Sequence, residues 1–423
     1  IGNGARENAL AWKIVNSPSF KNSGSVLYAA PGNPGINKFA NPVNIASTDI
    51  QSLKNFALNE KIDFTVVGPE IPLSIGIVDE FEKEGLKIFG PSKAAAEIET
   101  SKVFSKELMQ KYSVPTAKFK AFNTENLGEL SSFIDEVNYP VVIKADGLAA
   151  GKGVIICNDD SDVESCIKDL TENKIFGEAG LNFVAEQFLT GNEVSLFIIT
   201  DGEDFVVLPP AQDYKRIFEE DKGKNTGGMG AFTPAVKFCN DEVLKKAEEK
   251  IIKPVLSALK KEGRNYKGCL YAGLMITEEK EPFVIEFNCR FGDPETQAVL
   301  TLIDSDFLEL LMASSENKIK DYSLKIKNAF AGCVVLASLG YPDEFEKGKL
   351  ISGLENIDNN VHVFHAGTSE MHGKIFTNGG RVISVVSCSE KSFNSAFENI
   401  YCAIEKIDFE NKYFRRDIGK IVL

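Results

Sequence analysis

Histidine is nearly missing from this 423-residue chain: His362, His365 and His372 are the only three, and all fall within eleven residues. Histidine acid–base catalysis anywhere else is thereby excluded. A zinc site at that cluster would need further ligands at metal spacing, and none accompanies it. The eight cysteines (157, 166, 239, 269, 289, 333, 388 and 402) are scattered without a single CxxC pair. Buried free thiols in a reducing compartment fit that pattern, and a cytoplasmic location is expected. No apolar run approaches the ~18 residues of a membrane span, and no secretory pattern opens the chain. Positive charge is also short, with a net charge of −14. That balance argues against nucleic acid or a membrane as partner, while a small anion held by a few local cations stays open. A monomer is expected.

What is present reads as an ordinary globular protein, 43% hydrophobic and 26% charged. Its length exceeds the roughly 250–300 residues of a single core, so several domains are expected. Over the first 90 residues the strands "SVLYAA", "DFTVVGPE" and "LKIFG" alternate with helical stretches, the rhythm of a parallel sheet with covering helices. "IGNGARENALAWKI" is a Gly-rich turn entering a helix; such a turn normally follows a strand, so the first strand is expected to be missing from this numbering. "SKAAAEIETSKVFSKELMQKY" reads as one helical stretch, and residues 117–188 as a small α/β unit. A helix over 241–262, a hairpin "GCLYAGLMIT…EPFVIEFNCR" and a strand-rich tail follow. The expected domains are 1–98, 99–320 with 117–188 inserted, and 321–423.

Two glycine signals invite nucleotide readings. "GNGARE" lacks the third glycine of a dinucleotide fingerprint, which leaves a Rossmann oxidoreductase as the alternative of a different class. Backbone amides at that helix start, with Arg6, suit a phosphate; a tight turn without a ligand is the plainer reading. "GLAAGKGV" (147–154) fails as a Walker loop in its spacing, in Gly153 standing for Ser/Thr, and in lying between two strands. A glycine-rich hairpin closing over phosphates fits better, with Lys144 and Lys152 bringing charge. In "FVIEFNCRFGDPETQ" (283–297), period-two alternation sets Glu286, Asn288 and Arg290 on one face with Val284, and Ile285, Phe287 and Cys289 on the other. A solvated edge or a ligand site would each explain that polar row.

The strings "VVIKADGLAAGKGV", "EQFLTGNEVS", "QDYKR", "NTGGMGAFTPA" and "LMITEEKEPFVIEFNCRFGDPETQ" resemble, in this order, the phosphoribosylamine–glycine ligase family, also called glycinamide ribonucleotide synthetases. "GNGARE", "APGN", "VGPE", "FHAGT" and "TNGGRV" extend the resemblance over nearly the whole chain. The family implies an α/β chain, α+β in parts, of ATP-grasp architecture. It would have a Rossmann-like N-terminal domain, an inserted flap and a mixed α/β C-terminal domain. It also implies the joining of glycine to 5-phosphoribosylamine, with ATP as co-substrate and Mg²⁺ or Mn²⁺ as metal, in purine biosynthesis.

The resemblance carries residue roles with it. Glu286 and Asn288 would hold the metal, and Arg290, Asp213 and Lys215 would serve the reaction, Asp213 receiving the glycine ammonium. Lys102, Lys144, Gly151, Lys152, Gly153, Glu186, Leu189 and Glu193 would bind ATP, Glu186 and the Leu189 backbone at adenine, Glu193 at the ribose. Lys102 alone also reads as surface charge on an amphipathic helix. Gly4, Arg6, Gly32, Asn33 and Glu70 would cradle phosphoribosylamine, and "NTGGMG" would be a flexible phosphate-side loop. Asn8 and Tyr214 depart from the family, standing where "REHALAWK" and "QDHKR" have histidine. An ATP-grasp ligase for another carboxylate and amine is the near rival; a binding protein that merely keeps the fold is the distant one.

Overall fold

The computed structural model of the chain describes residues 1–148, 153–175 and 177–422. Two short parallel pairs form the first unit: Tyr28–Ala29 with Asn41–Pro42, and Thr65–Val66 with Ile88–Phe89. Ile1 and Gly2 run between the pairs. The Ile1 amine donates to the Val66 carbonyl at 2.7 Å, and the Gly2 N–H to the Ala30 carbonyl at 2.8 Å. The first two residues thus hold the central place in the sheet. Leu53, Ile77 and Phe81 from two covering helices pack with Val67 and Ile88 in one core.

The stretch read as one helix is two, Lys93–Thr100 and Lys102–Lys111. Ser101 interrupts them in extended backbone, φ −129° and ψ 112°. Its hydroxyl accepts from the Phe104 N–H at 3.0 Å and donates to Asp146 Oδ2 at 3.3 Å. Thr100 and Ser101 rank low as helix formers and Ser101 caps the second helix, while Asp146 holds its hydroxyl in a tertiary contact that periodicity cannot show.

Strands Phe119–Phe122, Phe183–Gln187, Val141–Ala145 and Val154–Cys157 lie side by side in that order, all antiparallel. With helices Leu130–Val137 and Asp160–Thr171 they enclose a separate core that includes Phe122, Phe133, Ile143, Leu170 and Phe183. A second antiparallel sheet follows in the order Phe205–Val207, Asn192–Thr200, Gly268–Ile276, Pro282–Asn288. The helical run after residue 240 carries one wider turn, Glu248–Ile252, between Asp241–Ala247 and Lys253–Lys261.

The last sheet orders Gln212–Asp213, Gly230–Thr233, Phe330–Ser338, Arg381–Ser389 and Val361–His365. Two of these strands come from before residue 320, so the expected boundary there cuts through a hydrogen-bonded sheet. Successive residues of its central strand face opposite sides: Cys333 packs with Ala298 and Val299 of helix Glu295–Leu302, and Val334 with Phe397 and Ile400 of helix Phe393–Lys406. Among the described residues, no helix is long and apolar enough to cross a membrane.

Candidate active site

The polar strand departs from strict alternation at one residue. Glu286 pairs with Gly273 and Val284 with Leu274, so Ile285 is an extra residue in Pro282–Asn288. Such a bulge shifts the face of everything beyond it. Val284, Phe287 and Cys289 therefore all enter the main core. The expected grouping of Val284 with Glu286, and of Ile285 with Phe287, is corrected. The strand ends at Asn288, so Arg290 lies just past it.

Glu286 has no hydrogen bond or ion pair within 4 Å among the described residues. Burial pushes its carboxyl up, but Lys102, Lys215, Lys144 and Arg290 together hold it below the ordinary carboxylate range. Asn288 spends Nδ2 on the Phe287 carbonyl at 2.9 Å, and its Oδ1 accepts from no donor among the described residues. Two oxygen donors with no nitrogen or sulfur fit a hard divalent cation that takes its other ligands from phosphate and water. Among the described residues no third His, Cys, Asp or Glu joins them in a metal-holding group.

In the other antiparallel sheet, Glu186 is buried on Phe183–Gln187. Its Oε2 accepts from Lys106 Nζ at 2.8 Å and lies 3.0 Å from Lys144 Nζ. Its Oε1 is buried without a partner among the described residues. Lys144 also donates to the Ile285 carbonyl at 2.9 Å. The sequence sent Lys144 to the phosphates; here its ammonium is taken up by Glu186 and the bulge. Lys102 makes no ion pair among the described residues; it opens its helix, and its charge helps hold the Glu286 carboxyl low. Gly151 and Lys152 lie outside the described residues. Gly153 is buried, its carbonyl accepting from the Ala145 N–H at 2.9 Å.

Asp213, Lys215 and Glu193, expected at the substrate side and at the ribose, lie together, with Lys215 paired to Glu193. Burial lifts the Asp213 carboxyl to about 7; Lys215 opposes this and Glu295 and Glu193 reinforce it. Glu295 was not anticipated. It opens a buried helix, and its Oε1 accepts from Ser195 Oγ at 2.9 Å, while Ser195 Oγ lies 3.1 Å from the Tyr271 hydroxyl. The only signal for it was an acid directly after proline at a helix start.

At the seam with the first unit, Glu70 Oε2 lies 3.3 Å from Arg290 Nε and 3.7 Å from Arg6 Nη2. Glu99, also not anticipated, is 3.3 Å from Arg290 Nη2 and accepts from the Cys289 N–H at 2.7 Å. The phosphate reading of the first turn meets a competitor: Glu7 Oε2 already accepts from the Gly4 N–H at 2.7 Å, and Glu7 Oε1 accepts from Arg6 Nε. That amide is satisfied by the chain itself. Gly32 sits at φ +75°, where a Cβ would meet Asn37 Oδ1 at 2.7 Å. Asn33 is spent on structure: Nδ2 donates to the carbonyls of Asn3 and His365, and Oδ1 accepts from the N–H of Gly35 and Ile36.

The "NTGG" loop is tied down. Arg381 Nη1 donates to the Gly227 carbonyl at 2.6 Å and the Asp293 carbonyl at 2.8 Å, and the Gly227 N–H donates to the Tyr341 hydroxyl. The two departures are structural: Asn8 Oδ1 accepts from the His365 N–H at 2.8 Å, and the Tyr214 hydroxyl from the Gly419 N–H at 3.0 Å.

Residues 1–99 match the family described as phosphoribosylglycinamide synthetase, N domain; 100–296 match its ATP-grasp (A) domain, and 331–421 its C domain. The chain belongs to the phosphoribosylglycinamide synthetase family. A phosphoribosylamine–glycine ligase of Caldanaerobacter subterraneus subsp. tengcongensis is 50% identical over 419 residues, covering 99% of this chain and 98% of that protein. The bifunctional purine biosynthetic protein PUR2,5 of Pichia angusta is 41% identical over 99% of this chain, which spans only 53% of that protein. The crystal structure of the phosphoribosylamine–glycine ligase of Thermotoga maritima superposes with a TM-score of 0.83 at 35% identity, covering 99% of this chain and 98% of that one.

As a phosphoribosylglycinamide synthetase the chain is a ligase with an ATP-grasp domain, and the mixed α/β fold expected from its motifs holds. A biotin carboxylase of Campylobacter jejuni shares the fold at 16% identity, with a TM-score of 0.73. Glu186 and Glu286 stand on two different antiparallel sheets, one on Phe183–Gln187 and the other on Pro282–Asn288.

Proposed function

We propose that this synthetase joins glycine to 5-phosphoribosylamine in purine biosynthesis, consuming ATP and releasing ADP and phosphate by way of glycyl phosphate. The observation that carries the reading is Glu286: a partly buried carboxylate without a hydrogen-bond or ion-pair partner among the described residues, held low by four cations. Glu186 Oε1 accepts the 6-amino group of adenine, and the Leu189 backbone completes the base contact. Glu193, now on Lys215, turns to the ribose. Glu286 and Asn288 Oδ1 would hold Mg²⁺ or Mn²⁺, which when bound neutralises phosphate charge as a Lewis acid.

Asp213 holds the glycine ammonium, which leaves the glycine carboxylate facing the nucleotide. Lys102 and Lys215 offset the charge of the γ-phosphoryl group while a glycine oxygen attacks phosphorus and ADP leaves. Arg290 steadies the resulting acyl phosphate through its planar fork. The amine of phosphoribosylamine, bound along Gly4, Arg6, Gly32 and Glu70, attacks the acyl carbon, and phosphate departs with the glycine oxygen. Alignment and charge carry these steps, which agrees with a site that holds no histidine. ADP release in the presence of Mg²⁺ tests the assignment. It is expected to require both glycine and freshly made phosphoribosylamine; release that ignores either substrate would overturn it.

A further inference from the structure

Lys106 has no place in the scheme above, yet it is one of the least exposed charges in the molecule. It is 3% exposed, as is Glu186, whose Oε2 it contacts at 2.8 Å. It does not swing freely: its ammonium also donates to Thr116 Oγ1 at 2.6 Å, and that hydroxyl donates to the Val284 carbonyl at 2.7 Å. Lys144 stands on the same carboxylate oxygen at 3.0 Å. Two lysines therefore share Oε2, and Oε1 is left buried without a partner among the described residues. A single lysine would suffice to balance the charge, so the second calls for another reason.

The reason lies in what a carboxyl group can do when buried. Without help, burial favours its neutral form, which donates a hydrogen bond as well as accepting. Burial would raise the Glu186 carboxyl, but Lys144 and Lys106 outweigh it and hold the group below its ordinary range. The cost falls on Lys106, which burial draws down to about 8 against the pull of Glu186. The other charges facing Lys106 are Lys144, on the strand paired with that of Glu186, and Glu286, on the hairpin of the second sheet. An ionised Glu186 can only accept. A 6-amino purine offers it a donor; a 6-oxo purine would set oxygen against oxygen.

We propose that Lys106 is a specificity-determining residue, fixing Glu186 as an acceptor-only carboxylate so that the pocket takes a 6-amino purine nucleotide and turns away a 6-oxo one. The inference rests on the reading that Glu186 meets the base, and deepens it. Lys106 acts through Glu186 and touches no reacting atom.

Binding of ATP and of inosine triphosphate, titrated with Mg²⁺ in the absence of glycine and phosphoribosylamine, tests it without relying on the ligase reaction. The wild-type preference for ATP is expected to stay flat between pH 6 and 7.5, below the range in which Lys106 loses its charge. In Lys106→Met that preference is expected to fall by about tenfold, the scale of one mismatched buried hydrogen bond. It should fall further as the pH drops, because the carboxyl can then take a proton and donate to the 6-oxygen. Thr116→Val, which only loosens Lys106, is expected to move the same way by less, and serves if Lys106→Met does not fold. An unchanged, pH-independent preference in both variants would overturn the inference and leave the ligase assignment standing. A wild-type preference that drifts toward inosine triphosphate in acid would overturn it as well. Failure of the wild type to bind either nucleotide would remove the base pocket itself.

Discussion

Glu70 and Arg290 meet across the seam between the first hundred residues and the ATP-grasp domain, Oε2 of one 3.3 Å from Nε of the other. The same oxygen lies 3.7 Å from Arg6, so one carboxylate sits between two guanidinium groups. Burial would raise the Glu70 carboxyl, yet Arg290 and Arg6 hold it low, so it stays ionised at any working pH. Glu70→Ala is expected to raise KM for phosphoribosylamine about tenfold or more while KM for ATP stays put, because only the amine-side cradle is lost. Steady-state kinetics with each substrate varied in turn checks this; equal rises in both constants would count against it.

Arg290→Lys should be costly despite keeping the charge. The guanidinium spans Glu70 and Glu99 at 3.3 Å each, a fork that an ammonium cannot reproduce. A loss of roughly 10²-fold in kcat is expected, the scale for removing one fixed donor at a developing charge. Single-turnover rates measure it directly.

Glu286→Ala is expected to lower kcat by about 10²-fold or more, and raising Mg²⁺ should not restore it. Asn288→Ala should instead show a raised Mg²⁺ requirement with partial recovery, since the charged donor, Glu286, remains. Near-normal turnover of the Glu286 variant at saturating Mg²⁺ would mean that this carboxylate holds no metal.

The pH dependence follows from Asp213, which burial raises to about 7. Below that value the carboxyl is increasingly protonated and cannot take the glycine ammonium. The quantity kcat/KM for glycine is therefore expected to fall as the pH drops below about 7, approaching tenfold per unit, and to level off above it. In Asp213→Asn the bend should vanish and the value stay low throughout.

Much of this site was legible in the chain because its chemistry is concentrated in short strings. Glu286, Asn288 and Arg290 announce themselves as polar residues in an apolar strand, and the glycine-rich turns mark the loops around them. The misreadings have physical causes. The bulge at Ile285 depends on how Gly273 and Leu274 register across the hairpin, which the strand's own residues do not encode. The helix break at Ser101 is held by Asp146, 45 residues away. Glu99, Lys106, Glu295 and Arg381 gain their meaning from partners between 80 and 190 residues distant, such as Glu186 and Cys289. A lysine on an amphipathic helix looks the same in sequence whether it faces water or a buried carboxylate.

Stability offers a separate check in the last sheet's hairpin cover. Arg415 is fully buried, 2.7 Å from Asp417 and over the ring of Tyr214. Asp417→Ala would leave that guanidinium only Asp221 at 2.9 Å and the Arg216 carbonyl at 3.0 Å, at a cost of about 1.5–3 kcal/mol. A fall in the urea midpoint of unfolding at constant slope checks it, and no loss would show the pair to be dispensable.

The central claim is that a glycine oxygen bonds to the terminal phosphorus of ATP before the amine attacks. Glycine carrying ¹⁸O in its carboxyl group reads this directly when the released phosphate is analysed by mass. One labelled oxygen in each phosphate, with the other retained in the product amide, is the expected result. Phosphate free of label would mean that no glycyl phosphate forms.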